Sequence, residues 1–230
     1  MARLTKAEQL EREKLLKQGL KRCPKCEIVK SVDEFSKWKG TKDGLQTYCK
    51  SCSSKYFQSE KGKKAIAKYW QSEKGKKSTQ RGANNRKARK MALPNTLTPE
   101  QQNEIYSTFD NKCPLTGNSE NLNLEHFIPL SILHGGTCFG NLYPCDASLN
   151  MSKSNKNPLK WIQKQPEQIR RNFHQKVLPV LAKQNGMTVV EFKKFTNWCF
   201  KNKRTLEQAQ ADLEKGLTSV DLFWQAMGKE

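Results

Sequence analysis

Long apolar runs are missing from this chain. Nothing in its 230 residues approaches the roughly 18 consecutive apolar positions of a membrane-spanning helix, so none is expected. The opening segment MARLTKAEQLEREKLLKQG also lacks the apolar centre of a secretory signal. It reads instead as a charged helix over residues 4–18, with Leu4, Ala7, Leu10, Leu15 and Leu16 as an imperfect stripe and Gly19 as its stop. A cytoplasmic location follows as the expectation. In a reducing cytosol eight cysteines are metal ligands or free thiols rather than disulfides.

Acidic residues are scarce where basic ones are dense. Residues 1–97 hold 26 Lys and Arg against 9 Asp and Glu, a balance of +17, whereas residues 98–230 hold 16 against 13, only +3. Such asymmetry describes a basic arm that meets a polyanion, joined to a near-neutral folded part. Nucleic acid, gripped through its phosphate backbone, is the expected polyanion. A membrane surface is not expected, because the basic stretches carry no continuous apolar face with bulky anchors.

Within the arm, Cys23, Cys26, Cys49 and Cys52 follow the pattern C-x2-C-x22-C-x2-C. Each Cys-x-x-Cys turn aims two thiolates at one point, and two such turns complete a tetrahedron for one structural Zn²⁺. A module of about thirty residues cannot bury an adequate apolar core, so the metal has to supply folding energy. Lys42-Asp43-Gly44-Leu45 and Tyr48-Cys49-Lys50-Ser51-Cys52 resemble a small zinc ribbon that precedes nuclease domains in phage proteins, junction-resolving endonucleases among them.

A tandem repeat follows. YFQSEKGKK (56–64) and YWQSEKGKK (69–77) agree at eight of nine positions with a period of thirteen. Ser59 and Ser72 suit helix N-caps, and Lys63, Lys64, Lys76 and Lys77, with Arg86 and Arg89 further on, are candidate phosphate contacts. On one uninterrupted helix the copies would lie roughly 140° apart. Two short helices hinged near Gly62 and Gly75 are the other form the sequence allows.

The chemistry-bearing constellation lies downstream, in LEHFIPLSILHGGTCFGNLYPCDASLNMSKSNKNP (124–158). Glu125 and His126 adjoin at the end of an apolar run, and Asn141 and Asn150 follow. Phosphodiester hydrolysis needs a base to activate water and a hard cation to offset charge on the phosphate and leaving oxygen. Histidine has the pKa nearest to the first task. Glu and Asn oxygens suit Mg²⁺, which keeps most of its waters.

The string resembles the HNH (ββα-metal) endonucleases over roughly residues 98–160. Its D/E-H-x-x-P opening and N-x-x-K-S helix start are similar to those of the HNH domain of CRISPR RNA-guided nucleases. The resemblance implies that His126 is the general base, that Glu125 and Asn150 hold Mg²⁺ or Mn²⁺, and that Asn141 holds the base through backbone hydrogen bonds. Lys153 becomes a phosphate contact beside them. Many members also bind a zinc through two flanking Cys-x-x-Cys pairs. Here only Cys113 and Cys145 survive, with Thr116 and Ser148 in the partner positions, so no zinc is expected in that core. His134 and His174 have no such support.

Thr98, as N-cap, and Pro99 open a helix that runs to about residue 110. From Trp161 onward apolar residues recur at helical spacing, interrupted at Pro166 and Pro179. The expected fold is α+β. It divides into a charged helix (1–22), a four-cysteine zinc ribbon (23–55), a basic linker (56–95), a ββα-metal core (96–160) and a helical C-terminal region (161–230). The expected function is a metal-dependent DNA endonuclease of phage or homing type, nicking or cutting both strands. The alternatives are a non-catalytic zinc-dependent nucleic-acid binder on the same scaffold, or a restriction- or packaging-associated nuclease.

Overall fold

Thr5 opens the first helix, α1 (Lys6–Lys17), by a reciprocal cap. Its hydroxyl accepts from the Glu8 amide, and the Glu8 carboxylate accepts from the Thr5 amide. The computed structural model describes residues 5–228; Leu4, counted above in the helical stripe, lies outside them. Helices and two small antiparallel sheets make a mixed α+β chain. It divides into two compact units after Gly75.

In the first unit Gly19, at φ 71°, turns the chain from α1 into β1 (Leu20–Arg22), which pairs antiparallel with β2 (Val29–Ser31). The core is little more than Cys23, Phe35 and Cys49, with Leu45, Cys26 and Cys52 packed against it. Polar groups compensate. The buried Asp43 carboxylate accepts from Lys21 at 2.8 Å and from Arg12 of α1 at 2.5 Å. Burial pushes that carboxyl up, but the two cations outweigh it and hold it well below the usual range. Lys21 also donates to the Gln46 carbonyl at 2.9 Å, which fastens the 41–46 loop to β1.

The repeat is not one rod but short helices that turn close to Gly62 and Gly75, at the serine caps. Helices α2 (Lys50–Gln58), α3 (Glu60–Gln71) and α4 (Glu73–Lys90) break at Ser59 and Ser72, both extended at φ −69°. Each serine hydroxyl donates 2.6 Å to the Tyr56 or Tyr69 carbonyl. Each also accepts from the amide three residues on, Gly62 at 3.1 Å and Gly75 at 3.2 Å. Glycine is required there by crowding. A Cβ at Gly62 would stand 2.0 Å from the Tyr56 carbonyl oxygen, and one at Gly75 equally close to that of Tyr69.

Most of α4 belongs to the second unit, not to a linker ending at residue 95. Arg81 donates to Gln102 at 2.7 Å, Asn85 to the Leu97 carbonyl at 3.2 Å and Gln80 to Asn123 at 3.3 Å. Helix α5 (Pro99–Thr108) has a capping box of Thr98 and Gln101. Strands β3 (Leu122–His126) and β4 (Leu142–Asp146) pair antiparallel, with Glu125 opposite Tyr143 and His126 opposite Leu142. Helix α6 (Ala147–Lys153) follows at once, capped by the Asp146 carboxylate.

Six short helices complete this unit: α7 (Pro158–Trp161), α8 (Glu167–Asn172), α9 (Leu178–Gln184), α10 (Val189–Lys201), α11 (Leu206–Glu214) and α12 (Ser219–Ala226). Between α8 and α9 the turn Phe173–Val177 widens to π geometry just before Pro179, which has no amide to give. Phe127, just beyond β3, packs on Phe173 and Phe192 at ring separations of 5.7 and 5.1 Å. The C-terminal helices thus pack on the hairpin and share its core, as their apolar spacing led us to expect.

The two glycine environments predict opposite outcomes in thermal unfolding. Gly62→Ala should unfasten the α2–α3 corner and open it to limited proteolysis. Gly82→Ala, inside α4 with nothing near its added Cβ, should stabilise by about 0.5–1 kcal/mol. Unchanged proteolysis in Gly62→Ala would show that the corner does not depend on the missing side chain.

Candidate functional site

Two groups of side chains can do chemistry. In the first, Cys23 and Cys26 flank a tight turn in which the Glu27 amide donates 2.7 Å to the Cys23 carbonyl and Glu27 takes φ 59°. The second pair sits in no matching strand turn. Cys49 is the N-cap of α2, and Cys52 lies in its first turn. All four sulfurs lie within 4.8 Å of one another. A tetrahedron of about 2.3 Å Zn–S bonds has edges of about 3.8 Å, so a small contraction seats a zinc ion. The Ser51 hydroxyl beside Cys49 pulls that thiol down to about 6, which favours the thiolate that a metal needs. This is the only His, Cys, Asp and Glu cluster of metal-binding geometry among the described residues.

The second site is built on the β3–β4 hairpin. Neighbouring residues on a strand face opposite ways. Glu125, opposite Tyr143, turns toward the large core under α6. His126, opposite Leu142, turns toward the layer that holds α5. Asn141 fixes the loops at this end. Its oxygen accepts from the Ile128 amide at 2.8 Å, and its nitrogen donates to the carbonyls of Ile128 at 3.0 Å and Gly136 at 2.9 Å. Gly135 allows this approach, since a Cβ there would lie 2.6 Å from the Asn141 nitrogen.

The tautomer of His126 follows from a count of protons. Nε2 lies 2.9 Å from the Thr137 hydroxyl, and that hydroxyl donates its single proton to the Asn84 carbonyl of α4 at 3.0 Å. Thr137 can only accept from the ring, so Nε2 carries the hydrogen and Nδ1 carries the lone pair. Burial, then the charges of Lys153 and Lys87, hold the imidazole down to about 3. It is neutral at any physiological pH.

Lys153 is not a phosphate contact. Its side chain is 1% exposed, paired with Glu125, and donates to the His126 carbonyl at 2.8 Å and the Ser154 carbonyl at 3.4 Å. With its three protons engaged it has none for a ligand. Burial drives Glu125 up and Lys153 down, and each partner's charge opposes the drift. Asn150 lies half-buried one turn before Lys153 on α6, and its side chain has no hydrogen bond among the described residues.

Of the other cations, Lys63 pairs with Glu60 at 3.1 Å, and Lys64, Lys76 and Arg86 are exposed. Lys77 instead covers the Tyr106 ring at 4.3 Å, and Arg89 donates to Asn95 at 3.3 Å. Thr137 and Lys87 escaped the sequence reading. Thr137 reaches His126 by a hydrogen bond across the loop, with Gly135-Gly136 before it as its local signal, and Lys87 acts on the ring through its charge. Cys113 and Cys145 stand side by side in the core, where the hydrogen bond between them pulls Cys113 down to about 5. His134 is buried between Ser219 and the Asn202 carbonyl, and His174 lies edge-on to Phe173.

No protein-family model, no curated protein and no solved structure matches the chain. No helix among the described residues is long and apolar enough to cross a membrane.

Two predictions rest on this geometry. Purified protein should carry one zinc equivalent by elemental analysis; Cys49→Ser with Cys52→Ser should lose it and render residues 20–55 protease-sensitive, whereas retention would place the metal elsewhere. In urea denaturation without added Mg²⁺, Lys153→Met or Glu125→Gln alone should cost about 3–5 kcal/mol by stranding a buried charge. The double variant should recover most of that, and additive losses would show that the pair is not coupled.

Proposed function

We propose that the second unit is an HNH-type metal-dependent DNA endonuclease core and that the zinc-bearing first unit and basic helices hold the DNA. One observation carries this reading: a neutral imidazole whose Nε2–H is committed to Thr137, which leaves Nδ1 to take a proton. Asn141 is a positioning residue in this scheme, since it touches only backbone. His126 Nδ1 would accept a proton from water, the water oxygen would attack phosphorus, and the P–O3′ bond would break. The donor set of Glu125 and the unpartnered Asn150 fits Mg²⁺ or Mn²⁺, whose charge would stabilise the phosphate and the departing 3′ oxygen. Glu125 would then divide its charge between that ion and Lys153. Lys87, exposed and close enough to bias His126, replaces Lys153 as the candidate phosphate contact.

A second reading has its own support. Glu125 is already neutralised by Lys153, as in a scaffold that binds nucleic acid without cutting it. A plasmid-nicking assay with Mg²⁺ or Mn²⁺ against an EDTA control separates the two. His126→Ala should lower cleavage by about two to four orders of magnitude, the scale of a lost general base, with DNA affinity nearly unchanged. Near-normal nicking by that variant would overturn the assignment of the base. Absence of metal-dependent nicking by the unaltered chain would favour the binder.

A further inference from the structure

The repeat leaves aromatic rings in water. Tyr56, Phe57, Tyr69 and Trp70 are 44, 54, 41 and 50% exposed, and with Ala65 and Ile66 they line an open groove of about 560 Å³ on α2 and α3. Contiguous exposed rings in a well-capped helical corner mark a surface that meets something. Each copy presents one pair, Tyr56 with Phe57 at 5.5 Å and 66°, Tyr69 with Trp70 at 5.0 Å and 70°. An edge-to-face pair occupies at most one of its four ring faces, so flat faces remain for a further ring.

The surroundings are cationic. Residues 50–75 carry seven lysines and two glutamates, and Lys55, Lys61, Lys64 and Lys68 are exposed along the same helices. We propose that this two-copy corner is a platform for single-stranded nucleic acid, on which unpaired bases stack against Tyr56, Phe57, Tyr69 and Trp70 while the lysines hold the phosphates. A duplex offers the phosphates but conceals its base faces; a single strand offers both. A second copy of the chain would bring another lysine-rich face against this one. A bilayer fits poorly, since α3 supplies only Ile66, Tyr69 and Trp70 as bulky apolar groups and both α2 and α3 end in polar Gln-Ser. The proposal rests on the nucleic-acid reading above and is independent of the hydrolytic one.

Fluorescence anisotropy on the full chain without added Mg²⁺ tests it, with a labelled single strand of mixed sequence and the same strand annealed to its complement. Phe57→Ala with Trp70→Ala should weaken single-strand binding about tenfold per ring and leave duplex binding within about threefold; Phe57→Trp with Trp70→Phe should restore the single strand. Equal losses on both probes, or no loss on either, would overturn the platform while leaving the nucleic-acid reading intact. If the unaltered chain binds neither probe, both fall. Sedimentation with phosphatidylglycerol vesicles, or dissociation of a dimer by the aromatic variant, would assign the rings to a membrane or a second copy and overturn the proposal as well.

Discussion

Side chains alternate along a β-strand, and the hairpin site depends on that constraint. Because Glu125 and His126 are adjacent on β3, one must face the core beneath α6 and the other the α5 side. Each therefore acquires its own electrostatic environment. The carboxylate enters a layer of Tyr143, Cys145 and aromatic rings, where no charge survives unpaired, and Lys153 supplies the partner. The imidazole enters a layer where Thr137 and the Asn84 carbonyl set its tautomer and where burial, with two ammonium charges in range, keeps the resting ring neutral. Two groups with fixed and different protonation states, one residue apart, are what the strand provides.

The two units solve the problem of small size in different ways. The hairpin recruits the C-terminal helices, so that Phe127 lies among Phe173, Phe192 and Tyr143 and the hydrophobic effect carries the fold. The first unit has Phe35 and a few cysteines, too little apolar area to offset the ordering of its loops. Its four close cysteines could hold a metal ion in compensation, and Asp43 ties helix to loop through its bonds to Lys21 and Arg12. Removal of metal and removal of core side chains should thus act on different halves of the chain.

Local features were legible in the sequence; distant pairings were not. The Thr98–Pro99 start of α5 and the paired cysteines are written in neighbouring residues, so spacing reveals them. Serine caps in the repeat were equally visible, but the function of Gly62 and Gly75 was not, because the carbonyls they approach belong to the preceding helix. Lys153 misled for a related reason. In a polar string a lysine reads as solvated, and only the fold of α6 against β3 reveals that its ammonium is enclosed. Thr137 meets Asn84 across more than fifty positions of sequence, beyond the reach of any periodicity.

Basic residues fare differently according to what their helix packs on. In α4, Arg81 and Lys77 are drawn into contacts with α5, so charge there becomes structure. In α3 the face of Ile66, Tyr69 and Trp70 is 37, 41 and 50% exposed, and the lysines beside it are exposed too. The same YxQSEKGKK string thus begins two helices with different surroundings, although the serine corner that precedes each is the same to within a tenth of an ångström in its two hydrogen bonds. What distinguishes the two lysine runs is what their helix meets: Lys77 of the second lies over the Tyr106 ring of α5, whereas Lys63 and Lys64 of the first stay exposed. Both copies nevertheless leave their aromatic pair in water, at 44 and 54% and at 41 and 50% exposure, so the cover that α5 gives the second lysine run does not extend to its rings.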